Sequence, residues 1–389
     1  MKRLSAISAT ILFVMVGCGG NKQSNDDLII VDVSKSYPKK ELILQDLMDV
    51  EYIALETTDE FLTQGLVRDV GQEHILVTNR INDGDIFIFD RKTGKGLRKI
   101  NRQGQGPEEY VRINKIILDE ANGEIFVHSE ASKKITVYNL YGNFKRVLNF
   151  SKEVSYTSVF NYDKDNLICF DMSDYYNIGK KRDSGKSYHV LISKLDGSIT
   201  REIFIPFETI NSPIVTEGDN SVTGYFPTIG TSQGKWILWD VSSDTLYNYV
   251  PDGILKPFIV RTPSADAMGT AIFLTMGIIT DRYYFIGTIE NAFNFERGSG
   301  FRDGQLMYDK EENALFDVSV YNGDYAEKRG VAMTAKSINH EIEDASSLDA
   351  FRLVEDYKEG KLNDGNLKDI AAKLDEEDNP VIILKKQKK

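Results

Sequence analysis

The sequence predicts an all-β protein: a six-bladed β-propeller with short C-terminal helices and a closing C-terminal strand. Three observations support this fold class. A hairpin of two apolar, alternating strands recurs along the chain. The composition is rich in strand-forming aromatics, with 19 Tyr and 20 Phe. Gly, Asp and Asn turns separate the strands, while only nine Pro occur.

The repeated hairpins carry a turn glycine at Gly94, Gly142, Gly197 and Gly253, at intervals of 48, 55 and 56 residues. Each glycine is expected to supply the positive φ that such a turn needs. A second pair of strand-like runs precedes each hairpin, so one unit contains about four strands. Short four-stranded units at this period are typical of propeller blades, and the length accommodates six. A fifth copy is worn, with Asn313 in place of the glycine. Two β-sandwiches with shared turn chemistry are the alternative.

The first residues predict export and lipid attachment. Lys2 and Arg3 precede an apolar run over 7–16, which is too short to span a bilayer as a helix, and Cys18 follows. We expect residues 1–17 to be a lipoprotein signal peptide and Cys18 to carry the lipid. Residues 18–27 are expected to form a flexible tether, and 28–389 the propeller domain. The expected location is the cell envelope, most simply the outer membrane, with the membrane face left open.

Charge limits the possible partners. The chain has a net charge of −12, which becomes −14 without residues 1–17, because Lys2 and Arg3 are the only charged residues there. Such a surface repels phosphate backbones, so nucleic acid is not an expected partner. The expected membrane contact is therefore the lipid alone. Cys169 lies in an apolar run and is interpreted as a small buried hydrophobe.

The end of the chain predicts how the ring closes. Helical spacing over 348–358 and 367–374 is followed by the apolar run Val381–Leu384, which we interpret as a strand returning to the N-terminal blade. Two N-terminal runs are candidate partners for it, 28–31 and 50–55.

Three segments, 51–58, 102–110 and 378–384, together resemble a known family: the six-bladed β-propeller lipoproteins of anaerobic gut bacteria, related in fold to NHL-repeat and TolB-like propellers. The Gly-x-Gly-Pro-x-Glu-Tyr run within 104–110 is the most specific of these features. The resemblance implies the fold and an envelope location over nearly the whole mature chain, and it implies no activity.

The same 102–110 run is the candidate binding segment at a mouth of the propeller, and its alternative role is a structural turn between blades. Its glycines are expected to occupy backbone conformations that are costly for other residues. A dinucleotide fingerprint is not expected, because Glu109 stands where the third glycine would be and no βαβ unit surrounds it. The candidate binding residues are Arg102, Gln103, Glu108, Glu109 and Tyr110.

No cofactor or metal is expected. The four histidines lie in different units without a second ligand at metal-binding spacing, and Asn161-x-Asp163-x-Asp165 lacks the later residues of a calcium loop. Trp236 and Trp239 are three apart in a strand, so they face opposite sides. One of them is expected between blades, and the other is either core or a stacking surface for a sugar or peptide.

The sequence therefore favours a lipid-anchored binding or scaffold protein for a glycan, peptide or partner protein. Two alternatives stay open. One is an enzyme, a lyase or hydrolase with its site at the central axis, and the other is an assembly component that docks a neighbour through its C-terminal helices.

Overall fold

A computed structural model describes residues 28–224, 226–333 and 342–388, and these form a six-bladed β-propeller. The signal, the tether and Cys18 lie outside the described residues. In the described part of the chain, no helix is long and apolar enough to cross a membrane.

The N-terminal segment and the first three blades supply fifteen strands. The segment consists of β1 (Ile29–Asp32), β2 (Lys39–Ile43), the short helix α1 (Leu44–Leu47) and β3 (Met48–Ala54). Blades 1 to 3 contain, in chain order, β4 (Leu66–Val70), β5 (His74–Thr78), β6 (Asp85–Asp90), β7 (Gly96–Asn101), β8 (Lys115–Asp119), β9 (Glu124–Ser129), β10 (Lys134–Asn139), β11 (Phe144–Asn149), β12 (Tyr156–Asn161), β13 (Asn166–Asp171), β14 (His189–Ser193) and β15 (Ile199–Ile203).

The second half follows the same plan with two inserted hairpins, β16–β17 and β24–β25. Its elements are β16 (Ile214–Glu217), β17 (Asn220–Thr223), β18 (Ile229–Ser232), β19 (Lys235–Trp239), β20 (Thr245–Tyr249), β21 (Leu255–Thr262), β22 (Ile272–Ile279), β23 (Tyr283–Glu290), β24 (Phe293–Asn294), β25 (Ser299–Gly300), β26 (Asp303–Asp309), β27 (Ala314–Tyr321), β28 (Ile342–Leu348), α2 (Ala350–Lys358), α3 (Asn366–Ala371) and β29 (Val381–Gln387). One-turn 3₁₀ segments lie at Glu120–Asn122, Glu130–Ser132 and Ala265–Ala267.

Blade 4 is β18–β21 and blade 5 is β22, β23, β26 and β27. The sixth blade closes the ring as predicted. Strand β29 lies between β28 and β3, and Ile382 pairs with Ile53 in antiparallel register. Of the two candidate N-terminal partners, the later one, within β3, is therefore the true one. The predicted helices α2 and α3 lie between β28 and β29.

The earlier N-terminal run has a different role. Strand β1 adds in parallel to the outer strand of blade 4, and β2 adds in parallel to the outer strand of blade 5. Lys40 on β2 donates to the buried carboxylate of Asp309 at 2.9 Å. The N-terminal segment thus covers two blade edges before it enters the sixth blade.

The turn glycines behave as the repeat predicts. Gly94, Gly142, Gly197 and Gly253 have φ between 70° and 83°, and Asn313 takes φ 51° at the same turn of blade 5. A Cβ on Gly94 would overlap the carbonyl oxygen of Ala54 in the preceding blade, so this turn also needs glycine for close approach.

Strand alternation divides the core into layers between neighbouring blades. In β19, Trp236 faces the cluster shared with blade 3, whereas Trp239 faces the cluster shared with blade 5. Cys169 is fully buried between blades 2 and 3, and burial raises the pKa of its thiol well above the usual range. The connections between blades lie on one face, here the upper face. The turns between first and second strands and between third and fourth strands lie on the lower face.

Candidate ligand cleft between blades 3 and 4

The candidate segment 102–110 connects blade 1 to blade 2 across the upper face. Its side chain Tyr110 is fully buried, and the Tyr110 hydroxyl donates to the Gly84 carbonyl at 2.6 Å. The same hydroxyl accepts from the Arg102 backbone N–H at 2.9 Å. Burial raises the pKa of Tyr110 to about 12. Tyr110 therefore fastens the two ends of this connection.

The other side chains of the segment make local contacts. Glu109 accepts from the Gly106 N–H at 2.8 Å, and Gln103 donates to the Val111 carbonyl at 3.2 Å. Arg102 Nε donates to the Gly142 carbonyl at 3.1 Å. Of the five candidate residues, Glu108 alone has no described side-chain contact, although its carbonyl accepts from the Tyr138 hydroxyl at 2.6 Å. A binding role for these residues stays a prediction.

The prediction that the glycines of this segment adopt costly backbone conformations is wrong. Neither Gly104 nor Gly106 has a positive φ. Their constraint is steric, because a Cβ at Gly104 would overlap the carboxylate of Glu109. That carboxylate cannot move away without losing its bond to the Gly106 N–H.

The histidines remain separate in the part of the chain described. There, no group of three or more His, Cys, Asp and Glu side chains is placed to hold a metal ion. His189 is buried and contacts the Thr228 carbonyl at 3.1 Å, and burial lowers its pKa to about 4. His74 contacts Glu120 of the next blade at 2.8 Å. Both histidines have structural contacts that account for their positions.

One inner-strand carboxylate has an unusual environment. Asp69 on β4 is buried and accepts from the Leu118 N–H of blade 2 at 2.7 Å. Burial raises its pKa to about 6. Because the carboxylate is used to join two inner strands, it serves the packing of the ring.

A cleft of about 510 Å³ opens on the lower face between blades 3 and 4. Such a volume falls in the range of small-ligand sites, roughly 300–1,000 Å³. We call it the blade 3–4 cleft. Its walls come from β13–β15 and from β19–β20 with their adjoining turns. The residues that line it include Tyr162, Asn166, Arg201, Lys235, Trp236 and Tyr249.

Three aromatic rings form the apolar wall of the blade 3–4 cleft. Tyr162 lies 5.3 Å from Trp236 and 6.1 Å from Tyr249, measured between ring centroids. Trp236 and Tyr249 are mostly buried, whereas Tyr162 is half-buried. Burial raises the pKa of Tyr162 to about 12, so its hydroxyl is neutral at physiological pH. The rings are tilted by 36° and 43° against that of Tyr162, so they form an uneven apolar surface with a polar edge.

The equivalent cleft between blades 2 and 3 has a similar volume, about 500 Å³, but it is lined by ion pairs. Lys194, which follows the third strand of blade 3, contacts Asp119 at 2.6 Å, and both side chains are buried. Arg146 makes two bonds to Glu124 at 2.7 and 2.8 Å. The Arg146 hydrogen bonds, opposed by burial, hold the pKa of Glu124 down at about 2.

One blade further on, the corresponding positions are neutral. Asn161 ends the first strand of blade 3 where Asp119 ends that of blade 2. Val250 follows the third strand of blade 4 where Lys194 follows that of blade 3. The blade 3–4 cleft is therefore lined mainly by aromatic and amide side chains where its neighbour is lined by ion pairs.

Sequence reasoning found part of this site. It named Trp236 and Trp239 as a pair of which one could stack on a ligand, and Trp236 is the one that lines the cleft, but it did not connect Tyr162, Tyr249 or Arg201 with the site. An alignment of the hairpins on their turn glycines could have pointed to Arg201. It places Arg146 and Arg201 at the same position, four residues after Gly142 and Gly197.

Fold and cleft together define the class: a β-propeller with a ligand-sized cleft between two blades. A family model described as a 6-bladed beta-propeller (DUF5128) matches residues 19–343. The chain therefore belongs to this six-bladed β-propeller family.

Solved structures agree with the fold. A Bacteroides fragilis protein described as exported aligns with a TM-score of 0.59 at 17% identity, covering 90% of this chain and 99% of that one. A DUF4221 family member from Bacteroides vulgatus aligns with a TM-score of 0.40 at 10% identity, covering 72% and 90%. Virginiamycin B lyase from Staphylococcus aureus aligns with a TM-score of 0.33 at 12% identity, covering 72% and 94%. No curated protein sequence matches the chain.

Proposed function

We propose that this propeller is a lipid-anchored binding protein of the cell envelope and that its ligand occupies the blade 3–4 cleft. One observation carries the proposal. Neighbouring clefts share a register and have similar volumes, yet the one between blades 2 and 3 is lined by ion pairs while the next is lined by aromatic rings. The half-buried ring of Tyr162, backed by the buried rings of Trp236 and Tyr249, borders the cleft, and a ligand packed on it would remove its remaining apolar surface from water.

The dimensions of the cleft favour a small ligand. A glycan segment or a short peptide fits about 510 Å³, whereas a folded partner would need a broader surface. Tyr162 supplies a ring to pack against, and Asn248 supplies an amide group that both donates and accepts, while the Asn166 amide is held between Asp163 and Thr200. These are the groups that fix the orientation of a polar ligand.

Removing the Tyr162 ring is expected to weaken binding about ten-fold or more, because truncating a central aromatic commonly costs about 2 kcal/mol or more. The measurement is a glycan and peptide array probed with residues 19–389, followed by calorimetry on each hit with wild type and Tyr162→Ala. Tyr176→Ala is the matched control, because Tyr176 is 73% exposed and lies outside the cleft. Hits that bind Tyr162→Ala as tightly as wild type would place the ligand elsewhere, and an array without hits would contradict a binding role for these ligand classes.

The proposed location rests on Cys18 and its signal, with support from the exported Bacteroides fragilis protein of similar fold. A thioether-linked diacylglycerol on Cys18 would hold the protein at the outer membrane, since two acyl chains give stable anchoring where one gives only marginal binding. Residues 18–27 would then connect the anchor to β1 at the outer edge of blade 4.

Replacing Cys18 by alanine is expected to move the protein from the membrane fraction to the soluble fraction and to abolish labelling by fed fatty acids. Cys169→Ala is the control, because this buried thiol is not available for acylation. A Cys18→Ala protein that still pellets with membranes and still takes up label would refute lipid anchoring.

A further inference from the structure

Arg201 in the blade 3–4 cleft occupies the same register position as Arg146 in the cleft before it. Each is the third residue of its blade's fourth strand, β15 and β11. Arg146 is matched by Glu124, the first residue of β9. The first residue of β13 is Asn166, so the carboxylate that would match Arg201 is missing.

Among the described residues, the guanidinium of Arg201 accordingly has no carboxylate in ion-pair contact; the Tyr249 hydroxyl acts on it most strongly, and the Asp163 carboxylate acts on it at longer range. In the described ranges of the chain, no carboxylate oxygen lies within 4.0 Å of it. Its described contact is with the Tyr249 hydroxyl, at 3.3 Å. Arg201 is exposed, and it lines the cleft beside the aromatic wall.

We propose that Arg201 binds a carboxylate of an acidic saccharide, which takes the place that Glu124 fills on Arg146. This inference rests on the proposed binding function of the same cleft and adds the ligand class. An arginine fork accepts a carboxylate through two parallel hydrogen bonds, as Arg146 does with Glu124. The sugar ring then packs against Tyr162, with its hydroxyls towards Asn166 and Asn248.

The charges around the cleft favour an anion. Two cations, Arg201 and Lys235, line it together with one carboxylate, Asp163. That carboxylate is directed to its own turn, where it accepts from the backbone N–H groups of Asp165 at 2.8 Å and Asn166 at 2.7 Å. The cleft thus presents net positive charge on a chain whose net charge is −12.

The backbone of the cleft favours a saccharide over a peptide. A peptide is commonly held by main-chain hydrogen bonds to an unpaired strand edge. The cleft walls are mostly sheet faces: β13, β14, β19 and β20 are each paired on both sides, whereas β15, the outer strand of blade 3, is paired on one side within the described sheets. The cleft therefore offers side-chain groups, which suit ring hydroxyls and a carboxylate.

The test compares tetragalacturonic acid, whose carboxylates are free, with its fully methyl-esterified form, in which each carboxylate is a neutral ester. Calorimetry with residues 19–389, which contain every described strand, should give an affinity about 10- to 100-fold higher for the acid, the range for a hydrogen bond to a charged group. Arg201→Gln should lower the affinity for the acid to that for the ester and leave ester binding unchanged. Arg98→Gln is the matched control, because Arg98 holds the same position in blade 1, where it stacks on Tyr141.

A second variant blocks Arg201 from within the protein. Asp163→Ala with Asn166→Glu recreates the Ala121 and Glu124 arrangement of blade 2, so the new glutamate should pair with Arg201 and abolish the preference for the acid. Its thermal unfolding is compared with that of wild type to check that it folds. If it does not fold, the Arg201→Gln variant still tests the inference independently.

Three results would overturn the inference. Equal binding of acid and ester, both lost in Tyr162→Ala, would leave the cleft as the binding site but remove the anionic ligand. Tighter binding of tetraglutamate than of tetragalacturonic acid would indicate an acidic peptide. Binding of neither saccharide at millimolar concentration would refute this ligand class. Whether the cleft binds any ligand is tested separately, by comparing the array hits of wild type and Tyr162→Ala.

Discussion

Replacing Ile382 by alanine should lower the free energy of unfolding by about 2–5 kcal/mol, the usual cost of truncating a buried aliphatic side chain. Ile382 is fully buried in the middle strand of blade 6, between β28 and β3. Removing all of 381–389 should be worse, because it leaves two unpaired strand edges and opens the ring, and we expect aggregation. Urea denaturation and light scattering measure the two effects.

Lys386→Ala is the control for this closure. It lies on the same strand, but its side chain is 31% exposed and pairs with an equally exposed Glu51, so about 1 kcal/mol or less is expected. If the 381–389 truncation unfolds at the same urea concentration as wild type, the ring closes by some other contact.

Replacing Lys194 by methionine should destabilise the protein by about 3–5 kcal/mol, because it leaves the buried Asp119 carboxylate without its partner. Adding Asp119→Asn should recover most of this loss, since a neutral pair needs no compensating charge. The double-mutant cycle in urea denaturation gives the coupling energy.

The exposed pair of Lys358 and Glu376 provides the comparison, with side chains 63% and 49% exposed, and Lys358→Met should cost about 1 kcal/mol or less. A Lys194→Met protein as stable as wild type would mean that the buried ion pair does not stabilise the contact between blades 2 and 3. The contrast with the blade 3–4 cleft would then lose its basis.

Local chemistry explains why the fold was predictable. A turn that needs positive φ selects glycine or asparagine, so Gly94, Gly142, Gly197, Gly253 and Asn313 mark five blades in the sequence itself. The apolar run Val381–Leu384 had to pair somewhere, and its position after the last helices predicted ring closure.

The N-terminal segment was harder to predict, because strand addition at a blade edge leaves little local trace. The run from 28 to 31 was a candidate for closing the ring, yet β1 pairs with β21, some 230 residues away. Outer-edge pairing requires only an extended segment with suitable length, so nothing in 28–31 specifies blade 4.

The site was predictable only in part, for a related reason. The 102–110 run stands out in sequence because its glycines and Tyr110 are needed to build a tight connection. Its distinctive pattern therefore reflects the packing of that connection. Arg201 does not stand out, since it resembles Arg146 in every local respect. What distinguishes it is the residue at the start of β13, about 35 positions earlier, where Asn166 replaces an acid.

The fluorescence of Trp236 tests the central claim most directly, because the chain has only two tryptophans and one lies in the cleft wall. In Trp239→Phe, Trp236 is the sole tryptophan, and Trp236→Phe provides the complementary background. Titration with tetragalacturonic acid should change the emission of wild type and Trp239→Phe and leave that of Trp236→Phe unchanged. Binding detected by calorimetry in Trp239→Phe without any change in its emission would contradict a ligand in the blade 3–4 cleft.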